Sequence, residues 1–528
     1  MTIGEKIARL RTDMNVSQEE LAEKLSVSRQ SVSKWEMDIS LPQIDKIIAI
    51  SEIFSVSADE LLRDSVKIER KRNKYFGTDG FRGKAGVELT ATHAYKVGRF
   101  LGWYYSKENG KRARIVIGKD TRLSSYMLEY SVAAGITASG ADAYMLHVTT
   151  TPSVSYVASR DEFDCGIIIT ASHNPYHDNG IKIINRYGEK LDDETVGLIE
   201  AYLDGDMSVL GVTSSELPLA SGDRIGKIVD YVSGRNRYLG FLMSIASNSY
   251  KDLKIGIDSA NGASWMIAKS VFSSLGARVY DIGTSPDGVN VNKSCGSTHP
   301  EALQELVRKE HLDMGFAFDG DADRCIAVDE KGNIVDGDKI LYILACRLKS
   351  RGILNGDTVA VTVMSNSALS LALGEKGIKT VRTPVGDKFV YECMQKGGYS
   401  LGGENSGHII LKKYATTGDG LLTAIMLTEE VCDKKTSLSK LAEPIMLFPQ
   451  ITKNIKVKDK DTAVIDEEVK KEVEKAEKEI GEGRVLLRKS GTEPLVRIMA
   501  EAKSEELCRA VTERIAGVMK ERGHILED

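Results

Sequence analysis

One pattern is written three times in the chain, and it leaves few architectures open. "RIVIGKDTR" (114–122) runs through a helical stretch to "SGADAYMLHVTTTP"; "KIGIDSANGASW" (254–265) runs likewise to "LGARVYDIGTSPDG"; "TVAVTVMSNSA" (358–368) runs to "KGIKTVRTPVGD". Each copy is an apolar strand, a polar loop, a helix, a glycine, a second strand and a proline-bearing loop, the order of a βαβ unit. Three tandem related α/β domains with mixed, largely parallel sheets are the economical reading. In such sheets the loops at the carboxyl ends of the strands carry the chemistry, so those loops are where to look.

The flanks differ. From about residue 446 a charged helix, "DEEVKKEVEKAEKEI", precedes the strand "GRVLLRKSGTEPLVRIMAEA" and a last helix, which predicts a small C-terminal α+β domain. Residues 1–64 show no strand-like alternation and read as a small all-α domain of five short helices. The expected boundaries are 1–64, a basic linker over 65–73, and α/β or α+β domains over 74–222, 223–335, 336–445 and 446–528. With 528 residues, 42% hydrophobic and 28% charged, the composition is that of a soluble multidomain protein. There is no apolar run long enough to span a bilayer, and "MTIGEKIARLRTD" lacks the apolar stretch of a signal peptide, so a cytoplasmic protein without a membrane partner is expected. Seven scattered cysteines with no CxxC predict neither a disulfide framework nor a zinc site.

In "SQEELAEKLSVSRQSVSKWE", Ser17 followed by Glu20 forms a capping box, Leu21 and Leu25 share one face, and a second helix starts near Ser28 with Arg29, Gln30, Ser33 and Lys34 outward. A capped helix, a tight turn and a second helix bearing amide and basic side chains is a helix-turn-helix arrangement for reading the major groove. The segment resembles the Cro/cI (XRE) family, down to "KWE", "LP" and "SVSADELL", which implies double-stranded DNA as a partner. Its eight basic against twelve acidic residues leave a helical dimerisation bundle as the other reading.

Four polar strings carry chemistry. "FAFDGDADRCIAVDEKGNIVDGD" (316–338) alternates Asp319, Asp321 and Asp323 behind an apolar strand, so one tight loop can aim three carboxylates at a hard cation. An EF-hand is excluded because Arg324 stands where that loop needs glycine and both flanks read as strands. A three-carboxylate Mg²⁺ site with an arginine beside it suits phosphoryl transfer. "LLRKSGTEPLVRIM" (486–499) sets Arg488, Ser490, Gly491, Thr492 and Arg497 about one turn, a phosphate cradle. "LGGENSGHI" (401–409) offers Glu404, Asn405, Ser406 and His408, of which the carboxylate and hydroxyl suit adjacent sugar hydroxyls. "TASHNPYHDNG" (170–180) leaves the strand "CGIII" and presents Ser172 on a turn shaped by Asn174 and Pro175. With an Asp-rich cation site and a phosphate cradle in the same chain, that hydroxyl reads as a phosphoryl carrier held outward, a phosphate oxygen completing the metal's ligands. Lys182 in "NGIKI", helped by His173, reads as acid/base, its pKa expected to fall through burial and cationic neighbours.

Together "FGTDGFRG", "TASHNP", "NGIKI", "CGSTHPEAL", "DGDADR", "GGENSGH", "TTGDG" and "RKSGTEPLVR" run in the order found in the α-D-phosphohexomutase superfamily, and the chain resembles its glucosamine-specific members most over 74–528. The resemblance implies a phosphoserine at Ser172, one Mg²⁺ on Asp319, Asp321 and Asp323, and a hexosamine 1,6-bisphosphate that serves as intermediate and activator. It implies Arg82 supporting the transferring phosphoryl group, Lys182 as acid/base with His173, Arg324, Glu404 and Ser406 on the substrate, and Arg488, Ser490, Gly491, Thr492 and Arg497 on the other phosphate. The implied reaction interconverts glucosamine 6-phosphate and glucosamine 1-phosphate; a homodimer is a further expectation. Asn405 stands where the glucosamine enzymes usually carry Gln, and Pro384 where relatives often carry a substrate-reaching lysine, so a glucose or mannose phosphate is the alternative substrate. A phosphosugar-sensing transcription regulator is the alternative from another class. It would need the cradle and sugar loop but not Ser172, Lys182 and all three aspartates, which are present.

Overall fold

The three repeats fold as the strand pattern demands. In the computed structural model, which describes residues 3–13, 16–25, 27–37, 40–54, 74–77, 79–489 and 495–526, each repeat contributes a parallel strand pair to its own sheet: Arg114–Lys119 with Asp142–Val148, Lys254–Asp258 with Arg278–Ile282, and Thr358–Thr362 with Lys379–Thr383. On its other side the first strand of each pair takes a third parallel strand: Cys165–Ile169, Met314–Phe318 and Leu401–Gly403. That third strand then turns back on itself, into Asp178–Asn185, Cys325–Asp329 and Ile409–Leu411, each antiparallel. The sheets are therefore mixed, parallel where the repeats build them and antiparallel where the chain returns.

This topology places the strings picked out in the sequence. "TASHNPYH", "DGDADR" and "ENSGH" all occupy the same connection, between the third parallel strand and its antiparallel return. The strands leading into them are buried along their length: Cys165–Ile169, Met314–Phe318 and Leu401–Gly403 have no exposed residue. Burial on both faces explains their continuous apolar character, and it gives each loop a rigid base. The first sheet has seven strands, and its last, Ile228–Asp230, pairs parallel with Asp142–Val148, so this sheet runs past residue 222.

The C-terminal part is a three-stranded antiparallel sheet, Gln450–Lys456, Leu495–Glu501 and Arg484–Lys489, covered by Glu467–Ile480 and Glu505–Glu521. The expected single strand "GRVLLRKSGTEPLVRIMAEA" is thus two antiparallel strands.

Residues Met1–Lys74 and Tyr75–Asp528 are separate compact units. The first contains helices Ile3–Asp13, Gln18–Lys24, Arg29–Glu36 and Ile44–Phe54 around Ile7, Leu21, Leu25, Val32, Trp35 and Ile50. Ser17 and Glu20 close the expected capping box, with Glu20 N donating to Ser17 Oγ (3.1 Å) and Ser17 N to Glu20 Oε2 (2.7 Å). Ser28 caps the second helix of the motif. The fifth helix and the basic linker lie outside the described residues. Among the described residues no helix is long and apolar enough to cross a membrane.

Candidate active site

Ser172 is buried, at 1% exposure, and it does not point outward as the turn suggested. Its Oγ donates to Asp319 Oδ2 of the second α/β domain at 2.6 Å, and His173 Nδ1 lies 3.4 Å away. The reason is the backbone: Ser172 has φ +52°, the left-handed region that costs a non-glycine residue energy unless its surroundings hold it there. Here they do. The carbonyl of Ser172 accepts from Arg122 Nη2 (2.9 Å) and from Asn292 Nδ2 (2.8 Å), while its amide donates to Thr170 Oγ1 (2.9 Å). Arg122 is fully buried and paired with Asp120 (2.7 Å), which also accepts from Thr170 and Ser125. Gly320 lets the two loops meet: a Cβ there would stand 2.5 Å from the Ser172 carbonyl oxygen.

Asp319, Asp321 and Asp323 each present an oxygen within 4.8 Å of the others. All three are buried, and Asp321 Oδ1 and Asp323 Oδ1 carry no hydrogen bond. Burial, then Asp323 and Asp321, push Asp319 well above the carboxylate range. Crowded buried carboxylates with bare oxygens fit a hard divalent cation, whose charge answers both the crowding and the orphaned atoms. Thr151 Oγ1 donates to Asp321 Oδ2 (2.6 Å) and Thr151 N to the Asp321 carbonyl (3.0 Å), pinning the loop to the first domain.

Lys182 Nζ lies 2.9 Å from Asp321, 3.3 Å from Asp323 and 3.1 Å from Asp79. Burial alone would lower its pKa, but Asp321, Asp79 and Asp323 outweigh burial and hold it well above the ordinary lysine value. The expectation of a lowered lysine is therefore corrected: its neighbours are anions. His173 behaves in the opposite way, lowered to about 4 by burial and by Arg324 and Arg82. Arg82 pairs with Asp79, and Arg324 N donates to Asp319 Oδ1 (3.2 Å).

In the third domain Glu404 Oε1 accepts from Gly386 N (3.1 Å), and Ser406 Oγ lies 3.4 Å from Glu404 Oε2. The Arg324 and His408 backbones form a bridge, so the loops 404–408 and 319–324 abut. Burial would lower His408, yet Asp323, then Asp387 and Glu404, raise it to about 9. Against that pull, Gly418 N donates to His408 Nε2 at 2.9 Å, which needs a lone pair there and favours the neutral Nδ1–H ring facing Asp323. Lys388 is engaged elsewhere, 2.6 Å from Asp193.

Of the expected phosphate cradle, Arg488 and Arg497 are directly opposed on neighbouring strands. Burial and Arg497 together lower the pKa of Arg488, the mark of two guanidiniums set side by side. Ser490, Gly491 and Thr492 lie outside the described residues. In the N-terminal unit Arg29, Gln30 and Lys34 are exposed and Ser33 is half-buried; Arg29 pairs with Glu19 at 2.8 Å. The structure thus brings Ser172, His173, Lys182, Asp319, Asp321, Asp323 and Arg324 together.

Asp120, Arg122, Thr151 and Asn292 were missed in the sequence. Asp120 and Arg122 stand in the "KDTR" loop at the carboxyl end of a repeat strand, a signal that was available and not used.

Comparison with known proteins covers most of the chain in pieces. Residues 73–209, 232–332 and 336–447 match the models for phosphoglucomutase/phosphomannomutase alpha/beta/alpha domains I, II and III, and 453–518 the model for the C-terminal domain of the same family. Residues 7–61 match a helix-turn-helix model. A phosphoglucosamine mutase of Lachnospira eligens is 57% identical over 454 residues, covering 85% of this chain and 99% of that protein. The phosphoglucosamine mutase of Bacillus subtilis is 48% identical over 448 residues, covering 85% and 98%. Among solved structures, a phosphoglucomutase/phosphomannomutase family protein from Burkholderia thailandensis superposes with a TM-score of 0.71 at 26% identity, covering 85% and 98%. The Aspergillus fumigatus N-acetylphosphoglucosamine mutase in complex with GlcNAc-6P and magnesium shares the fold, with a TM-score of 0.61 at 18% identity and 84% and 95% coverage.

Proposed function

The chain belongs to the phosphoglucosamine mutases of the phosphoglucomutase/phosphomannomutase family, and from that membership we propose how its site moves a phosphoryl group between two oxygens of one sugar. The protein interconverts glucosamine 6-phosphate and glucosamine 1-phosphate through a 1,6-bisphosphate. Ser172 carries the phosphoryl group. In the first half-reaction the bond from Ser172 Oγ to phosphorus breaks as a bond to the sugar's O1 forms; to take the hydroxyl proton Lys182 must first be neutral, which a cation on Asp321 and Asp323 would favour by cancelling the charges that hold it protonated. After the bisphosphate turns over, Ser172 Oγ takes the 6-phosphoryl group and Lys182 returns a proton to O6. Asp319, Asp321, Asp323 and an oxygen of the phosphoserine would hold Mg²⁺, which when bound would supply charge neutralisation at the transferring phosphoryl group. Arg82 and Arg324 support that group, and the neutral His173 assists the proton movement.

Glu404 and Ser406 take the sugar hydroxyls, and Arg488, Ser490, Gly491, Thr492 and Arg497 grip the phosphate that stays. Opposed arginines support this cradle, because two guanidiniums at facing strand positions can both donate to the oxygens of one phosphate. The observation that carries the reading is the pairing of Ser172 with Asp319 at 2.6 Å while Lys182 contacts Asp321 of the same loop at 2.9 Å. The working modules are 1–64, 65–73, 74–222, 223–335, 336–445 and 446–528, with the second limit of the first α/β module moved past Asp230 to keep its sheet whole. The N-terminal module reads double-stranded DNA through Arg29, Gln30, Ser33 and Lys34, as a cytoplasmic homodimer able to span two half-sites.

A coupled assay with the 6-phosphates of glucosamine, glucose and mannose, Mg²⁺ and a trace of the matching bisphosphate tests the reading. Fastest turnover on glucosamine 6-phosphate is expected; a faster rate on glucose or mannose 6-phosphate overturns the hexose assignment.

A further inference from the structure

Six ionisable side chains behind the nucleophile form a closed circuit in which Lys182, Lys190 and the neutral ring of His408 alternate with three aspartates. Lys182 Nζ is 3.3 Å from Asp323 and 3.1 Å from Asp79 Oδ2. Asp79 Oδ1 receives Lys190 at 2.9 Å, and Lys190 reaches Asp387 at 2.7 Å. His408 stands 3.8 Å from Asp387 and 3.7 Å from Asp323, which closes the circuit. Asp79, Lys182 and Lys190 come from the first α/β domain, Asp323 from the second, Asp387 and His408 from the third. Within this circuit the Lys190–Asp387 pair is the one link between the first domain and the third.

The geometry makes that link a lever on Asp79. One carboxylate oxygen of Asp79 is held by Lys190, and the other faces both Lys182 and Arg82. Lys190 therefore sets the plane of the carboxylate, and the plane sets where the other oxygen meets the acid/base and the phosphoryl-supporting arginine. Asp387 in turn opens the helix Asp387–Gly397, and the amide just before it, that of Gly386, donates to Glu404, the residue assigned to the sugar. A continuous path of contacts thus runs from the sugar loop through Asp387, Lys190 and Asp79 to Lys182.

We propose that Lys190 and Asp387 are positioning residues, an interdomain strut through which the sugar-reading domain orients Asp79 and, by way of it, Lys182 and Arg82 for transfer. The strut rests on the mutase reading given above. The pair is partly exposed, at 28% and 15% for the two side chains, so solvent screens its direct contribution to stability. A misplacement of about 1 Å at a reacting group, by contrast, can cost on the order of a hundredfold in rate. Losses in kcat without matching losses in stability are the signature of such a role.

The test compares Lys190→Gln, Asp387→Asn, Lys190→Arg and the double variant Lys190→Gln/Asp387→Asn with the wild-type full chain, by coupled assay and thermal melting. Lys190→Gln and Asp387→Asn are expected to lower kcat by about tenfold to a hundredfold, with KM for the 6-phosphate within about threefold and little change in melting temperature. Lys190→Arg, which keeps the charge, recovers most of the rate. The double variant is no slower than the slower single, because both changes break one strut. A kcat within about twofold of wild type in both singles overturns the strut, as does a rise in KM at unchanged kcat or multiplicative losses in the double. Should Lys190→Gln fail to fold, Asp387→Asn, isosteric with the native side chain, decides alone. A wild type that turns over none of the three phosphosugars sinks the mutase reading, and the strut with it; an active wild type with active variants sinks the strut only.

Discussion

Gly320 shows how much of the site hangs on a single missing carbon. The loop that carries Asp319 reaches the Ser172 backbone because nothing stands between Gly320 and the carbonyl oxygen, 2.5 Å from where a Cβ would be. Gly320→Ala should destabilise the fold by about 1–3 kcal/mol through forced separation of the two loops, and lower kcat further by parting Ser172 from Asp319; an unchanged urea midpoint and rate would contradict this. Ser172→Ala removes only the carrier oxygen. It should abolish turnover with melting temperature nearly unchanged, and the phosphoserine-sized increment expected in the intact mass of the wild type should disappear with it.

Asp338 offers a titration away from the three clustered aspartates. Its Oδ2 accepts from Asn366 N at 2.8 Å, its Oδ1 is buried without a partner, and burial raises its pKa from 3.8 to about 7. Between those values the folded chain holds a proton that the unfolded chain has lost. The stabilising contribution is complete below the lower value and is lost as pH rises through about 7. The stability of the wild type relative to Asp338→Asn should therefore fall from pH 5 to pH 8, and parallel denaturation midpoints across that range would refute the assignment.

At the scale of elements, the proposed function gives the same connection in three sheets three jobs: the nucleophile, the metal and the sugar. This is why those strings could be read from the sequence. Each is a short polar run directly behind a buried apolar strand, and both halves of that signal are local. The groups that went unread are those whose meaning is made elsewhere. Arg122 looks like a turn residue until it reaches the carbonyl of Ser172, and Asn292 looks like any loop asparagine until it binds the same oxygen 120 residues away in sequence. The charge state of Lys182 departs from the expectation for a related reason. A lysine in a buried strand is expected to lose charge, and only the three carboxylates brought from two domains reverse the sign. The helix Arg29–Glu36 makes a separate prediction. If it reads DNA, retention on duplex DNA should weaken steeply as salt rises, and Arg29→Ala/Gln30→Ala should abolish sequence preference; no retention on any duplex at low salt would favour dimerisation as its role.

The whole molecule is two units, and the relatives are as long as only one of them: the Lachnospira eligens protein is covered over 99% of its length by 85% of this chain. A fragment comprising residues 75–528 should fold alone and retain kcat within about twofold, since every contact described in the catalytic circuit lies inside it. A fragment that folds but has lost most of its rate would mean that the N-terminal unit contributes to catalysis.

The hydrogen bond between Ser172 and Asp319 also has a history in time. The two residues are separated by 147 positions, and a ribosome adding about 5–20 residues per second makes the serine roughly 7 to 30 seconds before the aspartate. Through that interval the growing chain owns a nucleophile but no cation site to serve it. On the proposed reading catalytic competence cannot precede the synthesis of the second domain, so a half-made chain should not draw phosphate from passing sugar bisphosphates. A fragment that ends before residue 319 should gain no phosphate mass on incubation with the bisphosphate.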